Sequence, residues 1–426
     1  MKSLLVKINS KLNAQGGFLK SISLLISGTI FAHIITVSAL PFITRLYSPE
    51  DFSRLAVYTS LLGIFSVIAC LRYEIAIPLP ESDDEAERLL IISIINSFLF
   101  SLFLFVILLS FSREIQEILG NGHFSEITWL LPLGVLSASL YSAFKYWCTR
   151  TKDFKVIART KIEQAISSTA AQLGLGWLGI TSIGMLVGQF FYNGAGVFSL
   201  IRKKNKFSKV TSKEIKTTYL NYINYPKYSV GEALFNTAGV HLPILIIAAI
   251  AQSKEAGYLL LASKVMIIPM VLIGAAVSQV YYAHANEAFR ENKLRAFTLN
   301  CMRKLALIGV APLIILGLIA PLLFPLMFGN EWDRAGILVT WMTPWFIMQF
   351  IVSPISMGLH IVNKQKQAVL LQFLGVVIRV SFVVGAWLVN ENYISELYAI
   401  SGFLFYMIYF VFIYIYINEK KNGSNI

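Results

Sequence analysis

The sequence predicts an all-α integral membrane protein of about twelve transmembrane helices, and three observations carry that prediction. Apolar runs of about 20 residues recur along the whole chain, each long enough to cross a hydrocarbon core ~30 Å thick. Of the 426 residues only 14% are charged and 56% are hydrophobic, where a soluble domain carries roughly a quarter charged residues. Lysine and arginine also alternate in side: with the N-terminal arm placed inside, 28 of the 36 fall in inside segments and five in outside loops. That is the positive-inside asymmetry, and it places both termini in the cytoplasm. A segment crossing lipid must satisfy its own backbone, so these runs are helices; the alternation of a barrel strand is absent.

The spans are expected at 20–43, 53–78, 88–111, 126–147, 160–178, 180–200, 229–251, 256–282, 302–327, 335–361, 367–389 and 393–417. Lys2, Lys7, Lys11 and Lys20 precede the first. It is too long for a signal-peptide core and has no small-residue cleavage site before Pro41, so it reads as retained. The acidic segment 80–88, PESDDEAER, lies inside; acidic residues have little influence on topology. The longest outside loop, 112–125, leaves no room for an extracytoplasmic domain. Gly174, Gly176 and Gly179 match a dinucleotide fingerprint but follow a membrane helix without a βαβ unit, so they read as the tight turn between spans five and six. Gly184 and Gly188 form a small-xxx-small packing pair.

Eight Lys or Arg crowd into residues 202–228 and divide the chain into a bundle at 1–201, a basic connector at 202–228 and a bundle at 229–426. The connector anchors its flanking spans inside and touches anionic headgroups. Because sidedness explains the excess of 36 basic over 23 acidic residues, no nucleic-acid partner is implied. The halves repeat faintly: Trp129, Pro132 and Lys152 correspond to Trp341, Pro344 and Lys364 at one offset of 212. Two six-span halves entering from the same side are related by an axis along the membrane normal.

HExxH, GxSxG, Walker A and CxxC are absent, and Cys70, Cys148 and Cys301 have no metal spacing, so neither an enzyme, a cofactor nor a metal is indicated. The informative residues are ionisable groups within spans, because charge in lipid is costly. Arg379, twelve residues into its span, sits near the midplane, where it either faces a water-filled lumen or pairs structurally. Lys264 lies about two turns deep and either snorkels or faces the lumen. Arg72 and Glu74 lie near the inner end of span two. At i,i+2 they do not face each other on a helix, so each needs a different neighbour. His33 and His241 occupy similar depths in the two halves, as packing residues or proton carriers. Span seven carries Glu232, Asn236 and His241 ahead of Pro243, which leaves the Gly239 carbonyl without its helical partner. Pro269, Pro312, Pro321 and Pro325 are expected to break spans eight and nine.

Residues 40–89 contain LPFITRLYSPEDF, the segment YEIAI and an acidic Glu-Ala stretch; residues 256–282 and 323–346 follow, the latter with the box Phe328-Gly329-x-x-Trp332-x-x-Ala335-Gly336. Together these resemble the bacterial polysaccharide flippases, which move O-antigen and capsule repeat units, along nearly the whole chain. Ser53 stands where those proteins commonly have Gly. The resemblance implies the multidrug/oligosaccharidyl-lipid/polysaccharide exporter superfamily, with two six-helix bundles forming a V around a central cavity. It implies an undecaprenyl-diphosphate-linked glycan as substrate, translocated from the inner to the outer leaflet of the bacterial cytoplasmic membrane by alternating access. It further implies membrane lipids, a polysaccharide polymerase and a chain-length regulator as partners. On this reading Arg379, Lys264 and Arg72 form a cationic lumen for the diphosphate, while Glu74, His33, His241, Glu232 and Asn236 are the residues for coupling to H+ or Na+. The alternatives are a cation or drug antiporter of the same superfamily, for which span one offers only His33, and a membrane polymerase, which needs a larger outside loop.

Overall fold

The computed structural model describes residues 17–112, 114, 124–204, 207–208, 210–356, 358–362 and 364–417. Lys2, Lys7, Lys11, Arg113, residues 119–121, Lys206, Lys209, Lys420 and Lys421, on which parts of the reading above rest, lie outside them. The described residues are helical throughout their ordered elements, with no strand among them. Nine segments among them are long and apolar enough to cross a membrane, and this is a multi-pass membrane protein.

The first hairpin is α1 (Gly17–Leu46) and α2 (Pro49–Ala69). Ser48 and Asp51 cap the start of α2 reciprocally: the Ser48 amide and hydroxyl each donate to Asp51 Oδ2 at 3.0 Å, and the Asp51 amide donates to Ser48 Oγ at 3.3 Å. Pro49 at the first helical position needs no amide partner. This capped turn is the Pro-x-Asp-Phe stretch read in the sequence, with Ser48 ahead of it.

The chain packs into two compact units. Among the described residues, one takes in 17–39, 65–112 and 124–230, the other 40–64, 114 and 231–417. These units do not coincide with the halves of the sequence, because α1 and α2 are each shared and the connector groups with the first unit. The first unit continues through α3 (Asp83–Ser110), α4 (Phe124–Arg150), α5 (Phe154–Trp177), α6 (Thr181–Gly194), α7 (Val197–Ile201) and α8 (Ser212–Asn221). Its core gathers Tyr73, Leu89, Leu90, Phe144, Trp147 and Leu200. Between α5 and α6 Gly179 adopts φ +75°, with the Ile180 amide on the Leu175 carbonyl at 3.0 Å and the Gly179 amide on that of Gly176 at 3.0 Å. That is a Schellman cap, which needs the left-handed glycine the sequence placed there. The continuous span expected at 180–200 is instead split at 195–196, between α6 and α7.

The second unit holds α9 (Val230–Ile250), α10 (Glu255–Met266), α11 (Ala275–Arg290), α12 (Leu294–Phe328), α13 (Asp333–Val352), α14 (Gly358–Ile361), α15 (Gln365–Val389) and α16 (Ile394–Tyr416). Leu307, Leu318, Leu322 and Leu326 on α12 are each at least 70% exposed, an outer face suited only to lipid. Its other face meets α13 at glycines: a Cβ on Gly336 would lie 2.7 Å from the Ala320 carbonyl, so the backbones touch there. α12 runs unbroken for 35 residues, or ~52 Å, longer than a bilayer core requires.

Two expectations are corrected here and a third is met. Pro312, Pro321 and Pro325 do not break α12. Pro321 frees the Gly317 carbonyl, but Thr340 Oγ1 from α13 donates to it at 2.7 Å, so the lost bond is replaced from a neighbouring helix. As expected from Pro269, the span at 256–282 is interrupted just after it by a π-helical turn, Met270–Gly274, which separates α10 from α11. Span two ends at Ala69 and not at 78, for a reason that belongs to the site.

Candidate functional site

After α2 the chain cannot continue as a helix, because Leu71 and Arg72 adopt φ +51° and +63°. Two successive non-glycine residues in the left-handed region cost of order 1–3 kcal/mol each and persist only where the surroundings over-determine them. The chain then turns through a short 3-10 helix, Tyr73–Ala76. This reversal brings Arg72 Nη1 to 3.5 Å from Glu74 Oε1. The expectation that i,i+2 spacing sends the two residues to different neighbours assumed a helix; on the left-handed turn they pair with each other.

Glu74 is 4% exposed, and among the described residues its Oε2 and the Arg72 Nε are buried without a hydrogen-bond partner. Burial pushes the Glu74 carboxyl up, against its own backbone amide, Arg72 and Lys145, all of which favour the carboxylate. Lys145 belongs to α4, five residues before its end, and lies 5.0 Å from the Tyr146 ring. Lys161 of α5 is the next cation, close enough to Lys145 for mutual repulsion. Its ammonium sits 5.0 Å from the Tyr141 ring and 3.4 Å from Gln164 Oε1. His33 approaches Lys161 from α1, which packs on α5 where a Cβ on Gly28 would lie 2.8 Å from Ala158. One unit thus holds Arg72 and Lys145 beside the Glu74 carboxylate and Lys161 next to Lys145, with Arg72 Nε and Glu74 Oε2 unpartnered among the described residues. Unpaired buried polar groups cost free energy unless something satisfies them, and a multi-oxygen anion is the complement of three clustered cations.

Lys145 and Lys161 were not singled out by the sequence reading, which counted them among the inside flanking charges. Their signal was depth: both lie one to two turns inside helices whose outer turns carry Arg150 and Lys155, and those suffice for sidedness.

The second unit disposes of the other candidates separately. Arg379 is 4% exposed, so in this structure its side chain is enclosed by protein. Its Nη1 donates to the Gly239 carbonyl at 3.0 Å, the carbonyl freed by Pro243, and its guanidinium lies 4.4 Å from the Phe405 ring centroid. Among the described residues Arg379 Nε has no partner. His241 Nδ1 lies 3.3 Å from Ser60 Oγ, and a Cβ on Gly63 would meet its ring at 2.6 Å, so α2 makes room for the imidazole. Glu232 and Asn236 are exposed on one face of α9. Lys264 is half-buried and makes no hydrogen bond or ion pair among the described residues.

The box at 328–336 is a structural joint. Gly329 adopts φ +107°, which turns the chain from α12 into α13. Trp332, 1% exposed, donates its indole N–H to the Thr44 carbonyl at 3.2 Å and meets Phe52 at 4.7 Å and Tyr258 at 6.0 Å between ring centroids. Gly257 of α10 approaches the start of α2 closely: a Cβ there would lie 2.9 Å from the Ser53 amide nitrogen. Arg334, another residue passed over as a loop charge, grips Glu396 through both terminal nitrogens and Glu255 at 2.8 Å.

A family model described as polysaccharide biosynthesis protein matches residues 42–336. No curated protein sequence matches. Among solved structures, the lipid II flippase MurJ in an inward closed conformation superposes with a TM-score of 0.73 at 16% identity, covering 91% of this chain and 87% of that one. An inward-facing multidrug resistance MATE family transporter of the MOP superfamily gives 0.66 at 12% identity, covering 94% and 96%. A MOP superfamily transporter from Pyrococcus furiosus, described as having a binding pocket of reverse polarity, gives 0.57 at 12% identity, covering 95% and 97%.

Proposed function

The chain belongs to the polysaccharide biosynthesis protein family, and on that premise we propose that it flips an undecaprenyl-diphosphate-linked oligosaccharide from the inner to the outer leaflet by alternating access. The observation that carries this reading is a group of half-buried cations, Arg72 and Lys145 beside the buried Glu74 and Lys161 next to Lys145, with Arg72 Nε and Glu74 Oε2 unpartnered among the described residues. Three cations against one carboxylate suit a diphosphate and repel a cationic drug, which disfavours the antiporter reading. The glycan stays in the aqueous path and the prenyl tail in lipid. Glu74 is the proposed carrier of the coupling proton, since it is the carboxylate that shares these cations with the substrate and burial already favours its protonated form. Lys264 and Arg379 of the sequence-based set take no part in the diphosphate grip proposed here.

The test is transport of a fluorescent prenyl-diphosphate-linked disaccharide in proteoliposomes. A charge-assisted hydrogen bond contributes about 1.5–3 kcal/mol, so Lys145→Ala and Lys161→Ala should each lower the rate at limiting substrate by ~10–150-fold. Arg379→Met should spare it once corrected for the amount of folded protein. Transport at the parental rate in the Lys145→Ala, Lys161→Ala double variant would remove the reading.

A further inference from the structure

The acidic segment 80–88 and the basic connector, two charge runs separated by more than a hundred residues, meet in the first unit. Glu87, 3% exposed, accepts from Lys204 Nζ at 2.6 Å and from Ser208 Oγ at 3.2 Å, and from the Ser208 amide as well. The Lys204 ammonium lies 4.4 Å from the Trp147 ring centroid. Arg88 Nε donates to Thr218 Oγ1 at 3.1 Å, and Arg88 Nη1 lies 3.8 Å from Glu214. Glu214 also closes the capping box that starts α8: Thr211 accepts from its amide while its carboxylate accepts from the Thr211 amide at 2.8 Å. A ten-residue helix is marginal alone in water. Its cap and these contacts from α3 account for its order.

The contact that matters is made by Tyr73. Its side chain is fully buried, its hydroxyl donates to the Tyr219 carbonyl at 2.9 Å, and its ring lies 4.9 Å from that of Tyr219. Tyr73 stands between Arg72 and Glu74, directly after the two left-handed residues. The turn keeps backbone bonds of its own, the Leu71 amide on the Ile68 carbonyl at 2.8 Å and the Tyr73 amide on that of Cys70 at 3.2 Å, and the Tyr73 side chain ties it to the connector.

We infer that the connector is a positioning element of the anion site: docked through Glu87–Lys204, Arg88–Thr218 and Tyr73–Tyr219, it holds Arg72 and Glu74 in the geometry that receives a diphosphate. The inference rests on reading the Arg72, Lys145 and Lys161 cluster as the diphosphate site. It assigns the connector's charge a use beyond topology. Glu87, Lys204 and Tyr73 are positioning residues, acting on the ligand through the turn.

The experiment measures binding of farnesyl diphosphate, with farnesol as the uncharged control, to the purified full-length chain in detergent. Tyr73→Phe keeps the ring and removes one hydrogen bond, and should weaken the diphosphate by roughly 5-fold while leaving farnesol unchanged. Glu87→Lys and Lys204→Glu should each weaken it by about 10-fold or more, and the double charge swap should recover part of that loss. A purely structural role would lower melting temperature without this selectivity for the diphosphate and without rescue. If Lys145→Ala weakens the diphosphate but Tyr73→Phe and Glu87→Lys do not, the positioning role is overturned and the site stands. If the parent chain binds farnesyl diphosphate no better than farnesol, the site itself fails and the inference with it.

Discussion

Pro243 and Arg379 offer a test in which the expected energy follows from one bond. Proline at 243 removes an amide and strands the Gly239 carbonyl inside α9; Arg379 Nη1 of α15 fills it at 3.0 Å. Replacing Arg379 alone mixes several terms. The carbonyl loses its donor, at about 1–3 kcal/mol. The contact with the Phe405 ring is lost, at roughly 2 kcal/mol for a desolvated pair. Against these, a buried charge no longer has to be desolvated, which returns several kcal/mol. The sign of that single variant is therefore a poor test, and the coupling is a good one. Pro243→Ala supplies a new amide for Gly239, so in that background Arg379→Met strands nothing. The carbonyl has two lone pairs, and the new amide can share it with the arginine, so the coupling should sit at the lower end, about 1 kcal/mol. Reversible unfolding of the four proteins in mixed micelles measures it. Additivity within ~0.3–0.5 kcal/mol would mean that the two positions are independent and that the carbonyl-filling account is wrong.

Thr340→Val tests the same physics at Pro321: it keeps shape and removes the hydroxyl that fills the Gly317 carbonyl, and should cost about 1–3 kcal/mol in the same unfolding assay, while Thr340→Ser should cost little. Trp332→Ala should cost ~3–5 kcal/mol, because the indole is fully enclosed by Phe52, Tyr258 and the Thr44 carbonyl; a loss below ~1 kcal/mol would show that the box is no joint.

Much of this was legible in the sequence where the relevant physics is local. Apolar run length located the helices, the glycines at 174, 176 and 179 marked a tight turn of which only Gly179 is part, and a proline identified the stranded carbonyl of Gly239. What fills that carbonyl was not legible, since Arg379 lies 140 residues away. The pairing of Arg72 with Glu74 was misjudged because two left-handed residues broke a helix that composition alone would have continued. Lys145 and Lys161 were hidden by their own type: a lysine at a membrane edge and a lysine one turn deeper look alike in a count of charges, which cannot separate them. The box at 328–336 was conspicuous, but its job depends on Thr44, Phe52 and Tyr258, none of them near it in the chain.

The membership of residues 40–64 in the second unit has a consequence for anyone cutting this protein in two. A fragment beginning at residue 231 would carry Trp332 without the Thr44 acceptor for its indole and without Phe52 at its edge, and would carry Gly257 with no Pro49–Ser53 turn to receive it. The seam written in the sequence is therefore not a place where the molecule comes apart. Split versions should assemble only when the fragment supplying the first hairpin is made alongside the other, and the unit of inheritance for any exchange between relatives is the later half together with that hairpin.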